Sequence, residues 1–160
     1  VSAVTTQRPE LFEAVLCHVP LTDMVRYNAF GPAKIWMHEY GDPAKEEHFN
    51  FLYDYSPYHN VDKGADYPAF MMLSSAKDDR VHPMHARKMT AQLQWATGSD
   101  EPVLFRLEKK AGHGGANLIK SRVRKSVDKM SFLLQELNIE ERKGGKAEKA
   151  EEQKSGAAEE

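Results

Sequence analysis

The sequence predicts an α/β fold in which parallel strands alternate with helices. Two observations support this class. Short apolar runs with the composition of buried strands lie at residues 12–20, 68–75 and 102–108. Helical spacing of apolar residues follows the second run at 84–96 and the third at 117–138. Strand, helix, strand, helix in this order is typical of βαβ units, whose strands lie parallel in a sheet covered by helices.

The region around the first strand is less regular. Residues 1–7 predict the end of a helix, because the residue before Pro9 disfavours helical backbone angles. After the strand, residues 21–66 hold many aromatic side chains between turn formers such as Gly-Pro and Gly-Asp-Pro. This composition predicts an irregular segment that contains short helices near 33–39 and 44–52.

The second half of the chain has clearer periodicity. The run PAFMMLSS predicts a buried strand, and PVLFRLE predicts a strand with at least one buried face. The segment MHARKMTAQLQWA fits an amphipathic helix. The longest helix is predicted at 117–138, where the apolar residues that recur at helical spacing are Leu118, Ile119, Val123, Val127, Met130, Leu133, Leu134 and Leu137.

Length and composition allow one domain and a tail. A chain of 160 residues that is 41% hydrophobic can form a single sizeable core. From about residue 140 the sequence contains charges of both signs with Gly, Ala and Ser, and no aromatic or β-branched residue. Such a segment buries too little apolar surface to order itself. We therefore expect one domain over residues 1–139 and a disordered charged tail over 140–160.

Charge and residue spacing exclude several classes of partner. The net charge is −2 with acidic and basic residues interleaved, which argues against nucleic acid or an anionic membrane as a partner. No apolar run approaches the ~18 residues of a membrane span. His82 and His85 lie three positions apart but have no third candidate ligand nearby. We interpret them as a solvated helix start, and we expect neither a metal nor another cofactor.

The compartment is only weakly indicated. The first residues lack the basic and long apolar regions of a signal peptide, and the chain opens on Val1 in a way that suggests a fragment. The single cysteine, Cys17, lies in an apolar run, where an inert core residue is expected. These features favour the cytoplasm, with the periplasm as the alternative.

Polar residues follow two neighbouring strands of the predicted sheet. Asp78, Asp79 and Arg80 come after the second strand, and His113 lies among glycines after the third. Because the carboxyl ends of parallel strands meet at one sheet edge, Asp78 is predicted to orient the imidazole of His113 as an acid–base pair. For each motif alone, a helix cap, a surface ion pair or a simple turn is the alternative.

A nucleophile is lacking from this arrangement. The order of acid and then histidine is that of α/β-hydrolases, whose nucleophile precedes both in a Gly-x-Ser-x-Gly turn. No such motif occurs in the 160 residues, and no serine here lies at a strand-to-helix turn of that kind. The residues alone therefore predict two members of a catalytic triad.

Several blocks resemble the prolyl oligopeptidase family of serine peptidases. They run in order from QRPELFEAVLCHVPLTDMVRY through IWMHEYG, YSPYHNV and YPAFMMLSSAKDDRVHPMHARK to AGHGG and FLLQELNI. Together they cover nearly the whole chain except the tail. The resemblance implies the C-terminal part of an α/β-hydrolase catalytic domain, with the first strands and an N-terminal β-propeller outside this chain.

The resemblance also implies roles for individual residues. Asp78 would be the triad acid and His113 the general base. Arg80 would bind a backbone carbonyl of the substrate through a buried guanidinium, and Trp36 would stack on a substrate proline ring. The other residues implied to line that pocket are Tyr40, Val81 and Leu21, the last at a position where the family usually has valine.

By this resemblance, the parent protein is a serine endopeptidase that hydrolyses short peptides on the carboxyl side of proline. Its nucleophile would lie roughly six residues upstream of Val1 by family resemblance, so the chain alone is expected to be inactive. Its partners would be short proline-containing peptides and the missing N-terminal half of the same protein. The alternatives are a sister peptidase of the dipeptidyl peptidase, oligopeptidase B or acylaminoacyl peptidase type, or a non-catalytic α/β module.

Overall fold

The computed structural model describes residues 1–109, 112 and 119–139. Its centre is a three-stranded parallel sheet in the order β1-β2-β3. This confirms the predicted α/β class and all three predicted strands. The strands are β1 Ala14–His18, β2 Ala69–Ser75 and β3 Val103–Glu108.

The middle strand is covered on both faces and paired on both edges. All seven residues of β2 are buried, whereas only alternate residues of β1 are buried. The pairing sets Ala14 beside Ala69 and Phe70 beside Val103. Strands buried on both faces are typical of parallel sheets, because the crossover helices pack on each side. The buried face predicted for β3 is only partly buried, since Val103 is its one buried residue and Phe105 and Leu107 are half-buried.

Helices connect and cover the strands. The fourth helix begins and ends where the sequence predicts, and the longest helix ends two residues before its predicted end, while residues 117 and 118 of that prediction lie outside the described residues. The α-helices are α1 Ser2–Gln7, α2 Met37–Tyr40, α3 Glu46–Tyr55, α4 Met84–Ala96 and α5 Ile119–Glu136. Short 3₁₀ helices occupy Pro9–Leu11, Tyr27–Ala29 and Ala33–Trp36. The two short helices expected in the irregular segment are thus present as Ala33–Tyr40 and α3.

Among the described residues, three apolar clusters form the core. One joins the sheet to α4 and includes Cys17, Phe70, Met72, Met89 and Leu93. A second lies on the opposite face of the sheet and consists of Ala69, Met71, Leu73 and Phe132. The third lies beneath the irregular segment and consists of Met24, Tyr27, Ala33 and Leu52. The aromatic-rich segment therefore folds around its own small core.

Cys17 is an inert core residue, as predicted. It is free and buried, and its Sγ lies 3.0 Å from the Oγ of Ser2. Burial raises the pKa of the Cys17 thiol, which opposes formation of the reactive thiolate.

Helix α5 presents an unexpected face to the sheet. The apolar stripe from which the helix was predicted is mostly exposed, and Phe132 on the opposite side is the residue that is buried. An ion pair between Arg106 Nε of β3 and Asp128 Oδ2, 2.6 Å apart, fixes this orientation together with Phe132. The exposed stripe consists of Ile119, Val123, Val127, Met130, Leu134 and Leu137. The helix was predicted correctly, but its buried face was not.

No helix in the described ranges is long and apolar enough to cross a membrane. The predicted tail, residues 140–160, lies outside the described residues, and its disorder stays a prediction.

We expect the 160-residue chain to self-associate through the exposed stripe of α5, because large contiguous apolar patches are rare on monomers. Replacing Val127 and Met130, each 54% exposed, with lysine should weaken association about tenfold or more. Sedimentation velocity measures this directly. The matched control replaces Leu11 and Ile35, which are equally apolar and exposed elsewhere. A wild-type chain that stays monomeric at high concentration contradicts the prediction.

Candidate active site

Asp78 lies in a tight turn immediately beyond the carboxyl end of β2. Its side chain is buried, and its Oδ1 accepts the backbone N–H groups of Arg80 at 3.0 Å and Val81 at 2.8 Å. Its own backbone N–H donates to the carbonyl of Ser75 at 3.3 Å. A short aspartate side chain favours this kind of turn because it can bond the backbone two and three residues ahead. The result is a carboxylate held in one orientation at the sheet edge.

The residues around Asp78 have distinct exposures. Asp79 is exposed, whereas Val81 is buried. Arg80 is exposed, so the expectation of a buried guanidinium is wrong for this chain. Its backbone is anchored on the Asp78 carboxylate, which leaves the long side chain at the rim of the site.

A cavity of about 470 Å³ lies beside this turn. Three separate segments form it: the loop after β1, the stretch through α2, and the turn after β2. The structure brings together all five residues that the sequence singled out for a pocket, and adds two others. The lining residues are Val19, Leu21, Trp36, Glu39, Tyr40, Arg80 and Val81.

The aromatic wall of the cavity rests on the small core of the irregular segment. Trp36 and Tyr40 are half-buried and pack against Met24, Tyr27 and Leu52. The Tyr27 and Tyr40 rings meet edge to face with centroids 5.8 Å apart. Aromatic pairs prefer this geometry because the positive edge of one ring meets the negative face of the other.

The turn after Tyr40 requires glycine. Gly41 has a φ of +105°, and a Cβ there would lie 2.8 Å from the Cζ of Phe51. The carbonyl of Gly41 also accepts the hydroxyl of the buried Tyr27 at 2.5 Å. A substitution at Gly41 would therefore strain the turn that directly follows Tyr40.

The loop after β1 is strained where it enters the cavity. Val19 has a φ of +47°, a left-handed conformation that is rare for a β-branched residue and costs about 1–3 kcal/mol. Its backbone N–H continues the sheet pattern by donating to the carbonyl of Leu73 at 2.9 Å. This conformation turns the chain from the strand toward Leu21, the next wall residue after Pro20.

The predicted base, His113, lies outside the described residues. Gly112, the residue before it, is described, and a Cβ placed on Gly112 would lie 3.4 Å from the carbonyl oxygen of Lys77. Lys77 directly precedes Asp78. The chain thus passes next to the Asp78 turn one residue before His113.

The neighbouring histidines do not form a metal pair. His82 is exposed, and its Nδ1 accepts the backbone N–H of Met84 at 3.2 Å, as expected for a solvated helix start. His85 is fully buried, so that interpretation is wrong for His85. Within the described ranges, no group of three or more His, Cys, Asp or Glu side chains could hold a metal ion.

His85 instead belongs to a buried polar cluster. Its Nδ1 accepts the backbone N–H groups of Thr22 at 3.3 Å and Asp23 at 3.1 Å. Burial lowers the pKa of His85 to about 4 although the nearby Asp23 carboxylate opposes this shift, so the imidazole is neutral at pH 7. A neutral ring with an unprotonated Nδ1 is the form that can accept these two bonds.

Asp23 supplies the negative charge of this cluster. Its side chain is fully buried and pairs with Lys88 Nζ, with Arg26 Nε at 3.8 Å and His59 Nε2 at 4.0 Å as further neighbours. Burial disfavours the carboxylate, but the hydrogen bond and charge of Lys88, together with the charges of His59 and Arg26, outweigh it and hold the pKa of Asp23 below its usual value. The cluster ties the loop after β1 to α4.

Sequence reasoning missed Val19 and Glu39 in the cavity wall, and Asp23, His85 and Lys88 behind it. Val19 and Glu39 sit beside predicted pocket residues, so adjacency was an available signal. The cluster joins residues more than 60 positions apart in the sequence. No local spacing could have shown that pairing.

A parallel sheet with a fixed aspartate beyond the end of a strand, beside a cavity, is the arrangement of α/β-hydrolases. Residues 1–140 match the model of the prolyl oligopeptidase family. The chain belongs to this family.

Individual relatives point the same way. The chain is 40% identical over 140 residues to a prolyl endopeptidase of Elizabethkingia miricola, covering 87% of this chain and 20% of that protein. It is 35% identical over 139 residues to prolyl oligopeptidase A of Amanita bisporigera, which covers 86% of this chain and 18% of that protein. A solved prolyl endopeptidase superposes with a TM-score of 0.85 at 49% identity, over 87% of this chain and 20% of that one. The chain spans about a fifth of the length of these relatives.

Proposed function

We propose that this chain is part of a serine endopeptidase that hydrolyses short peptides on the carboxyl side of proline. One observation carries the proposal. Three segments distant in sequence converge on a single cavity, and that cavity adjoins the turn that holds Asp78. The relatives named above, which are prolyl endopeptidases and a prolyl oligopeptidase, support the same activity.

The cavity suits a proline side chain. A proline ring is compact and apolar, and it gains most from an aromatic face with aliphatic neighbours. Trp36 and Tyr40 supply the aromatic surface, while Leu21 and Val81 supply the aliphatic surface. Arg80 lies at the rim, where its guanidinium donates hydrogen bonds to a backbone carbonyl of the bound peptide.

The proposed reaction uses His113 and Asp78 as its acid–base pair. His113 takes the proton of a serine hydroxyl as that oxygen attacks the carbonyl carbon of the substrate proline, and then gives the proton to the leaving amine of the next residue. A water molecule next attacks the acyl-enzyme in the same way, which releases the peptide acid and restores the serine. Asp78 orients the imidazole through the N–H on its other nitrogen.

The position of Asp78 fits this role. Its Oδ1 is occupied by the N–H groups of Arg80 and Val81, so the carboxylate is already oriented before a substrate binds. The same two backbone groups belong to residues that line the cavity. Binding and acid–base chemistry therefore share one turn of the chain.

The nucleophile and the N–H groups that stabilise the oxyanion are assigned to the rest of the polypeptide. The 160 residues contain no Gly-x-Ser-x-Gly, and the matched relatives are about five times longer than the matched segment. By this proposal the chain alone does not turn over peptides, and the complete gene product does.

A sister specificity is the second candidate, and Glu39 is the observation that favours it. A carboxylate in the cavity wall attracts a basic side chain, as a peptidase of the oligopeptidase B type would need. The aromatic and aliphatic lining favours proline. Cleavage after proline compared with cleavage after arginine separates the two candidates.

A non-catalytic α/β module is the third candidate. The absence of Gly-x-Ser-x-Gly from these residues is the observation behind it. A complete gene product without that motif would favour this candidate. We propose the cytoplasm as the location, because the single cysteine of these 160 residues is buried and unpaired; fractionation of cells would test this location.

Replacing Trp36 with alanine should reduce kcat/KM for a proline-containing peptide about 10- to 100-fold in the complete gene product, because the ring loses its stacking surface. The matched control is Trp95→Ala, since Trp95 is 60% exposed on α4 and does not line the cavity. Equal effects of the two substitutions on kcat/KM would argue against the proline pocket.

Replacing Asp78 with asparagine should lower kcat about 10³- to 10⁴-fold with little change in KM, because the imidazole loses its orienting carboxylate. The exposed neighbour provides the control, and Asp79→Asn should keep kcat near the wild-type value. Steady-state kinetics with a fluorogenic peptide measures both. If Asp79→Asn were the damaging change, the assignment of the acid would be wrong.

A further inference from the structure

The loop at residues 19–23 forms one wall of the cavity, and Leu21 packs against the small core of the irregular segment. It contributes Val19 and Leu21 to the lining. Val19 is in the left-handed region with a φ of +47°, so this backbone would relax if nothing else held it. The atoms that hold the loop in place therefore control where this wall lies.

Three hydrogen bonds tie the loop to His85. The Nδ1 atom of His85 accepts the N–H groups of Thr22 and Asp23. The Thr22 hydroxyl donates to the backbone carbonyl of His85 at 2.8 Å. His85 is only 1% exposed, so water does not compete for these bonds. Leu21 directly precedes the two anchored residues.

The same helix turn reinforces the anchor. Lys88, three residues after His85, pairs with the Asp23 carboxylate and lies 3.9 Å from the centre of the Tyr58 ring. Ser56 closes the other side of the cluster. Its Oγ accepts the backbone N–H of Met24 at 3.0 Å. Helix α4 and Ser56 thus hold the end of the loop from two sides.

His85 is also linked to the opposite segment of the cavity. It lies in the first turn of α4, four residues after Val81, whose N–H is bonded to Asp78. The hydrogen bonds of the His85 imidazole therefore fix the position of the loop after β1 relative to the turn after β2.

We infer that His85 is a positioning residue for substrate specificity, holding the strained loop so that Leu21 and Val19 line the cavity beside Val81. This inference rests on the proposed function, because it assigns the cavity to a proline side chain. His85 itself does not line the cavity, so it acts through the loop. Loosening the loop would widen the site and reduce its selectivity for a compact ring.

Two substitutions separate the acceptor atom from the bulk of the ring. In His85→Asn, the amide oxygen occupies the place of Nδ1 and can accept both N–H groups. In His85→Leu, a similar volume is filled but no acceptor remains, so two buried donors lose their partner. His82→Leu is the control for changing a histidine in the same stretch, since His82 is exposed.

The experiment compares cleavage after proline and after alanine by the complete gene product, with active sites counted by a fluorophosphonate probe. His85→Leu should lower the proline-to-alanine ratio of kcat/KM about tenfold, whereas His85→Asn and His82→Leu keep it. Hydrogen exchange of the peptide covering residues 19–23 should accelerate in His85→Leu alone.

The outcomes distinguish this inference from the proposed function. If exchange accelerates but the proline-to-alanine ratio is unchanged, His85 is merely structural and the inference is overturned. It is also overturned if His85→Asn behaves like His85→Leu. A wild-type gene product that cleaves neither substrate overturns the proposed function, and unchanged exchange in His85→Leu then overturns the anchoring itself.

Discussion

The site depends on the bonds between the Asp78 carboxylate and the backbone of Arg80 and Val81. They form where β2 ends, and β2 is the strand that is buried along its whole length. The buried central strand fixes the position at which the turn begins. The hydrogen bonds of the turn then hold Arg80 and Val81, two residues of the cavity wall. Because Asp78, the proposed triad acid, shares this turn with Arg80 and Val81 of the cavity wall, displacement of one displaces the other.

The other walls are held by two different kinds of support. Trp36 and Tyr40 rest on the small apolar core of the irregular segment, where burial and edge-to-face packing fix them. In the loop after β1, Leu21 packs on the same core, and the residues that follow it are held by buried hydrogen bonds to His85 and by the pair between Asp23 and Lys88. A satisfied buried polar cluster specifies one arrangement, because every alternative leaves a donor or a charge without a partner.

The strands and the two long helices could be predicted because their signals are local. A continuous apolar run identified β2, and helical periodicity identified α4 and α5. The buried face of α5 could not be predicted, since the pairing of Arg106 with Asp128 and the packing of Phe132 decide it. The sequence also indicated the five pocket residues through a family resemblance. It could not indicate the role of His85, whose partners lie 62 and 63 positions away.

The most direct test of the account is the residue preference of the complete gene product. Matched fluorogenic peptides that differ only in having proline or arginine before the cleaved bond would be assayed for kcat/KM. We predict a much higher kcat/KM for the proline peptide than for the arginine peptide. In His113→Ala, turnover of both peptides should be lost. Preference for arginine, or turnover that does not depend on His113, would contradict it.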